Sequence, residues 1–256
     1  MKNGVSEKYR HAVIWGEPIR DEKTGIELHP ITMQDYERYQ LCKSALLIRQ
    51  STLPASYAAM PYLKALYAYD METEYAGGWT VKVLNVLAMA MQRPIQCLKV
   101  FTNSNGEFAE IRYESSSEVM RITANDFARI RTIITAQNGD KLPDEAENAE
   151  LVEAEMDIAQ KQSMNLEYDF ETLIASVALQ YRMRPKEILQ WTIREFENAK
   201  RAIDRDKLYM MCTAAEFSGT KWKNGNPAPS WFADKKRAGS IALEPLKDLA
   251  ARLGIK

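Results

Sequence analysis

The sequence predicts an α+β chain: an N-terminal α/β part with a small antiparallel sheet, followed by a C-terminal helical domain. Three observations carry this. Capped segments of helical period fill residues 32–92 and 123–139. Short strand-like runs divided by turn residues fill 95–122. From Asp169 onward the chain is a succession of helix starts. Helices and strands segregated along a chain read as α+β rather than as alternating βαβ units.

The elements follow in order. After a polar first ten residues, "HAVIWGEPI" reads as a strand, "RDEKTG" as a turn and "IELHPI" as the returning strand of a hairpin. "TMQDYERYQLCKSALLIRQ" is helical, with Thr32 as N-cap and Asp35 three residues on. Pro54 breaks it, and Pro61 opens the next helix, "PYLKALYAYDM". Gly77 and Gly78 interrupt again before "TVKVLNVLAMAMQ", which is apolar on most faces and so expected at the centre. Pro94 ends it. "LKVFT" and "FAEIRY" alternate with period two, and Asn105-Gly106 between them signals a hairpin. "VMRI" continues the meander, which is expected to join the N-terminal hairpin in one sheet. Thr123 and Asp126 form a capping pair for "TANDFARIRTIITAQNG", and Gly139 is its C-cap.

Between Asp140 and Asp157 there are eight acidic residues against one lysine. A charge run of this kind is a solvated connector and helix face, with a docking strip for a basic partner as the functional alternative. The domain boundary is therefore placed here: an α/β domain over 11–140, an acidic connector over 141–165 and a helical domain over 166–256. In the last of these, Asp169 caps "DFETLIASVALQYRM", Pro185 opens "PKEILQW", and Thr192 with Glu195 makes a capping box for the helix ending near Gly219. The tail "KWKNGNPAPSWFADKKRAGS" is basic and loop-like, with a short helix possible in "EPLKDLAARLG".

Composition excludes several function classes. The chain has 256 residues, 46% hydrophobic and 27% charged, with net charge −1, so no global field draws nucleic acid or anionic membrane. Cys42, Cys97 and Cys212 are isolated, with no CxxC spacing for zinc or redox chemistry. No apolar leader opens the chain and no segment has the length of a membrane span. No Walker A, GxGxxG, GxSxG or HExxH motif occurs, and the acidic run lacks the ligand spacing and central glycine of a calcium loop. His11 and His29 are the only histidines and neither neighbours a candidate nucleophile. No catalytic residue, metal site or cofactor is assigned.

Two stretches are read for binding. The segment 182–203 has the outline of a helix-turn-helix. Across 169–205, however, seven basic residues face six acidic ones, a balance that gives weak phosphate affinity. From 220 to 256, eight lysines or arginines stand against three acids, with Trp222, Trp231 and Phe232 among them. Cations interleaved with aromatics suit stacking on single strands, anchoring on a protein partner, or packing back onto the chain's own helices. Trp191, Trp222, Trp231 and Phe232 are the candidate partner-binding residues.

The segments "HPITMQDYERYQ", "IRTIITAQNGDKLPDEAENAEL", "YDFETLIASVALQYRMRPKEILQWTIREFENAKRAIDRDKLYMMCTAAEFSG" and "PSWFADKK" together resemble proteins of tail gene clusters in phages of Gram-positive bacteria. The last third is similar to the helical part of phage tail assembly chaperones, through Leu173–Tyr181, the "P-x-E-I-L" of Pro185–Leu189 and the "T-x-R-E-F" of Thr192–Phe196. The resemblance implies a non-enzymatic protein of the host cytoplasm that binds the tape-measure and tail-tube proteins and leaves the finished particle. The alternative it leaves is a structural tail or baseplate component retained in the virion. Twelve methionines and twelve tyrosines supply adaptable contact surface for such a role where they are not core.

Overall fold

The computed structural model describes residues 9–74, 77–145, 169–222, 226–228 and 230–231. It is mixed helix and antiparallel sheet, so the chain is α+β. Two compact units divide it, Met1–Asn198 and Ala199–Lys256. The expected boundary region 141–165 is described only as far as residue 145, and the division into units falls instead inside the last long helix.

In the first unit, α1 (Arg10–Trp15) is followed by a two-residue hairpin of β1 (Ile19–Arg20) and β2 (Glu27–Leu28). The expected strand over "HAVIW" is thus a helical turn. Gly16 ends it in the left-handed region (φ 68°), donating its N–H to the Ala12 carbonyl, and only Val13 of the turn is buried. A β-branched run needs a ladder partner to become a strand, and here the glycine closes a turn first.

Helices α2 (Tyr36–Cys42) and α3 (Ser44–Leu47) replace the single helix expected after Thr32, and a further helical turn, α4 (Ala55–Ala58), follows Pro54. Thr32 makes no side-chain cap. It forms an isolated antiparallel bridge with Thr192, and α2 is entered through a 3₁₀ turn at Met33–Asp35.

The core gathers around α5 (Tyr62–Glu72), α6 (Trp79–Ala90) and α7 (Ala124–Gln137). Leu63, Leu66, Val83, Val86, Leu87, Phe127, Ile130 and Ile134 are fully buried. That places α6 at the centre, as its all-round apolar pattern predicts. The buried Asp70 carboxylate caps α6 from α5, accepting the N–H groups of Trp79 and Thr80 at 3.0 and 2.6 Å. Arg131 of α7 closes the other end of α3. It donates to the carbonyls of Leu46 (2.6 Å) and Ile48 (3.4 Å) and lies 3.6 Å from the centre of the Tyr62 ring.

Strands β3 (Leu98–Thr102), β4 (Phe108–Glu114) and β5 (Val119–Thr123) form the meander, in that spatial order. It does not merge with the N-terminal hairpin, which stays a separate two-stranded sheet. The β5–α7 junction carries the predicted capping box: Thr123 Oγ1 accepts the Asp126 N–H and Asp126 Oδ2 accepts the Thr123 N–H. Gly139 follows with φ 80°.

The acidic run begins bound rather than solvated. Asp140 accepts the Tyr39 hydroxyl at 2.6 Å and faces Lys43 at 3.6 Å. Glu145 accepts the N–H groups of Gln50 (3.0 Å) and Ser51 (3.1 Å). Its remaining residues from 146 lie outside the described ones.

Helices α8 (Phe170–Tyr181) and α9 (Pro185–Ile188) and the start of α10 (Ile193–Phe217) belong to the first unit. Backbone pairing ties them in: Met33 N–H donates to Trp191 O (2.8 Å), Gln34 N–H to Leu189 O (3.0 Å) and Ile193 N–H to Ile31 O (2.9 Å). Tyr36 stacks on Phe170 at 5.5 Å, and Arg194 donates to the Ala136 carbonyl at 2.8 Å. So residues 169–198 complete the N-terminal core instead of opening an independent helical domain.

Candidate partner-docking site

The site grows from a capping box. Thr192 Oγ1 accepts the Glu195 N–H at 3.1 Å and Glu195 Oε2 accepts the Thr192 N–H at 2.7 Å, which starts α10 at a defined residue. From there Phe196, Ile203, Met210 and Phe217 recur every seven residues, so they share one stripe of the helix. Phe196 is fully buried in the first unit, with Ile193 beside it at 3% exposure. In the second unit, Met210 is 62% and Phe217 89% exposed, together with Leu208 at 47% and Met211 at 70%. Four large apolar side chains within ten residues thus stand uncovered. Single exposed hydrophobics are ordinary; Met210 and Phe217, seven residues apart, share one side of the helix, while Leu208 and Met211 lie toward the other.

The four residues expected to bind a partner are dispersed. Trp191 belongs to the first unit and is half-buried. Its main chain is committed to Ile188 and Met33, and its ring meets Tyr181 edge-on at 5.4 Å. Trp222 and Trp231 belong to the second unit. Trp222 is half-buried, with its indole N–H shielded and lacking a hydrogen-bond acceptor. Trp231 is 60% exposed. Phe232 lies outside the described residues. The α10 residues were missed by sequence reasoning because methionine and phenylalanine at helical spacing are usually core. The seven-residue interval of Phe196, Ile203, Met210 and Phe217, running past the last buried member, was the available signal.

No activated nucleophile emerges among the described residues. Burial pushes the Cys42 thiol up, against the weaker pull of Arg38 and Lys82, so its thiolate is disfavoured. Tyr39 is pushed far up by burial and then by the Asp140 carboxylate it donates to, which makes it a locked donor rather than an acid–base group. His29 Nε2 lies 3.3 Å from Glu27 and His11 Nδ1 3.8 Å from Glu17. Among the described residues no group of three histidine, cysteine or acidic side chains is placed to hold a metal ion. No helix among them is long and apolar enough to cross a membrane.

No protein-family model matches the chain, and no curated protein or solved structure matches it either.

Proposed function

We propose that the protein is a non-enzymatic phage tail assembly chaperone, which binds tape-measure and tail-tube proteins in the host cytoplasm. The observation that carries this reading is the uncovered run Leu208, Met210, Met211 and Phe217 on α10. A holding protein must present apolar surface to a client and let it go. Unbranched, polarizable methionines suit that task, because they repack around differing partners. The resemblance of the segments around Leu173–Tyr181, Pro185–Leu189 and Thr192–Phe196 to tail assembly chaperones supplies the class of client.

The deciding experiment is a pull-down of the tagged protein from a cytoplasm co-expressing the neighbouring tail genes, read by mass spectrometry. Enrichment of a long helical tape-measure protein or a tube subunit is expected. Recovery of the bait alone overturns the reading. Stoichiometric presence of the protein in purified particles transfers it to a structural role in the tail or baseplate.

A further inference from the structure

The three-stranded sheet ends at β5, and the phase of its ladder says which way the free backbone groups point. Ser115 N–H donates to Glu118 O at 2.9 Å across the β4–β5 turn. Counting from that pair along the register, Tyr113↔Met120 and Ile111↔Ile122 are the hydrogen-bonded pairs. Val119 and Arg121 therefore turn their N–H and C=O groups away from β4. Thr123, next in the same phase, spends its outward N–H on Asp126 at 3.3 Å. Among the described residues nothing bonds to the outward groups of Val119 or Arg121.

A cleft of about 400 Å³ lies beside Glu118 and Met120 of β5. Glu118 and Met120 form one wall, Arg20 and Glu27 of the N-terminal hairpin the other, and Gln92 and Arg93 part of the floor. Asp21 N–H donates to Ile26 O at 2.8 Å, so Glu27 in turn directs its backbone groups away from β1. Of the cleft's carboxylates, Glu118 pairs with Arg93 at 3.1 Å. Arg20 commits only its Nε, to Gly25 O at 3.0 Å, and Arg121 has no carboxylate partner among the described residues. Counting Arg121 of β5 with the Arg20, Arg93, Glu27 and Glu118 of the cleft, three cations stand against two carboxylates.

We propose that the open edge of β5 takes an extended, acidic segment of a partner protein by strand addition. Main-chain bonds to Val119 and Arg121 supply the register, and Arg20 and Arg121 select carboxylate side chains. An isolated cation-lined edge of this kind is blunted against apolar strands, which suits a charged client and suppresses aggregation. Binding at this edge does not depend on which client α10 takes.

The test is selection of a random heptapeptide library against the full-length protein, followed by affinity measurements on the enriched peptides. Enriched peptides are expected to be rich in Asp and Glu with β-branched residues between them, and to weaken with added salt. Arg121→Pro removes an N–H that β4 does not use, so the sheet keeps its ladder. That variant is expected to bind the peptides at least about tenfold more weakly, as is Arg20→Glu through like-charge repulsion. Should Arg121→Pro fail to fold, Arg20→Glu and Arg121→Glu carry the test. Selection of no acidic peptides, or undiminished binding to the variants, overturns the proposal. So does a concentration-dependent dimer that Arg121→Pro abolishes, which assigns the edge to a second copy of this chain.

Discussion

Arg131 shows how one side chain can join three elements. From α7 its guanidinium caps the carbonyls at the end of α3 and stacks on Tyr62, which in turn stacks on Phe127 at 6.3 Å. Burial pulls its pKa down, against the opposing pull of Tyr62 and then Glu145, so the charge is held at some cost that the fork and the stack offset. Arg131→Met is expected to destabilise by about 2–3 kcal/mol, since it leaves two helix-end carbonyls without their charged donor. Arg131→Lys should recover less than half, lacking the planar fork and the stacked face. Urea unfolding of the three proteins decides this, and equal midpoints for Lys and Arg would remove the stacking argument. Asp21 offers a second test at this scale. Burial alone would raise its pKa, but Arg129 at 3.2 Å through both oxygens and Thr24 at 2.8 and 3.0 Å outweigh it and hold the carboxyl below its ordinary value. A depressed folded pKa stabilises fully above the unfolded value and is lost as pH falls through the folded one. The stability gap between the wild type and Asp21→Asn is therefore expected to be constant from neutral pH down to about 4 and to shrink below it. A gap that persists unchanged at pH 2.5 would contradict the ion-pair assignment.

Among the elements, those with a local chemical signature were legible and those decided by distant packing were not. The boxes at Thr123/Asp126 and Thr192/Glu195 appear where their residue types put them, because a cap is satisfied within four residues. Asp169 likewise accepts the N–H groups of Glu171 and Thr172. The meander was readable from the period-two runs around Asn105-Gly106. By contrast, nothing near Thr32 announces that its backbone will bridge Thr192, nor does "HAVIW" reveal that Gly16 will close it into a turn. The exposed apolar part of α10 was half legible: the seven-residue spacing of Met210 and Phe217 stands in the sequence, but their exposure does not. That division sets an experiment. Phe196→Ala, in the buried part, is expected to cost about 3–5 kcal/mol. Met210→Lys combined with Phe217→Ser, in the exposed part, should leave unfolding free energy within about 0.5 kcal/mol while client capture falls at least about tenfold. Loss of stability in the double variant, or capture that survives it, would show that this face does not dock the client.

For the molecule as a whole, the decisive fact is that residues 31–34 find their backbone partners at 189–193. Those bonds span more than half the chain, so the core of the first unit closes only after α8, α9 and the start of α10 are in place. Ile188, Ile193 and Phe196 are all at most 3% exposed. Burying side chains of this size contributes roughly 1.5–3 kcal/mol each, as an upper estimate. Removing the three therefore takes away roughly 5–9 kcal/mol, comparable with the whole stability of an ordinary domain. It also uncovers Ile31 and Met33, which are 2% and 0% exposed, and strands the N–H groups of Met33 and Gln34 and the carbonyl of Ile31. A fragment of residues 1–145 should accordingly show no cooperative thermal transition and poor dispersion of its amide resonances, although it holds both sheets and all of α1 to α7. A fragment of residues 1–198 should unfold in one cooperative step. If 1–145 melts cooperatively with the same midpoint as 1–198, the helices after residue 169 are a separable domain and the 31–34/189–193 pairing is incidental to folding.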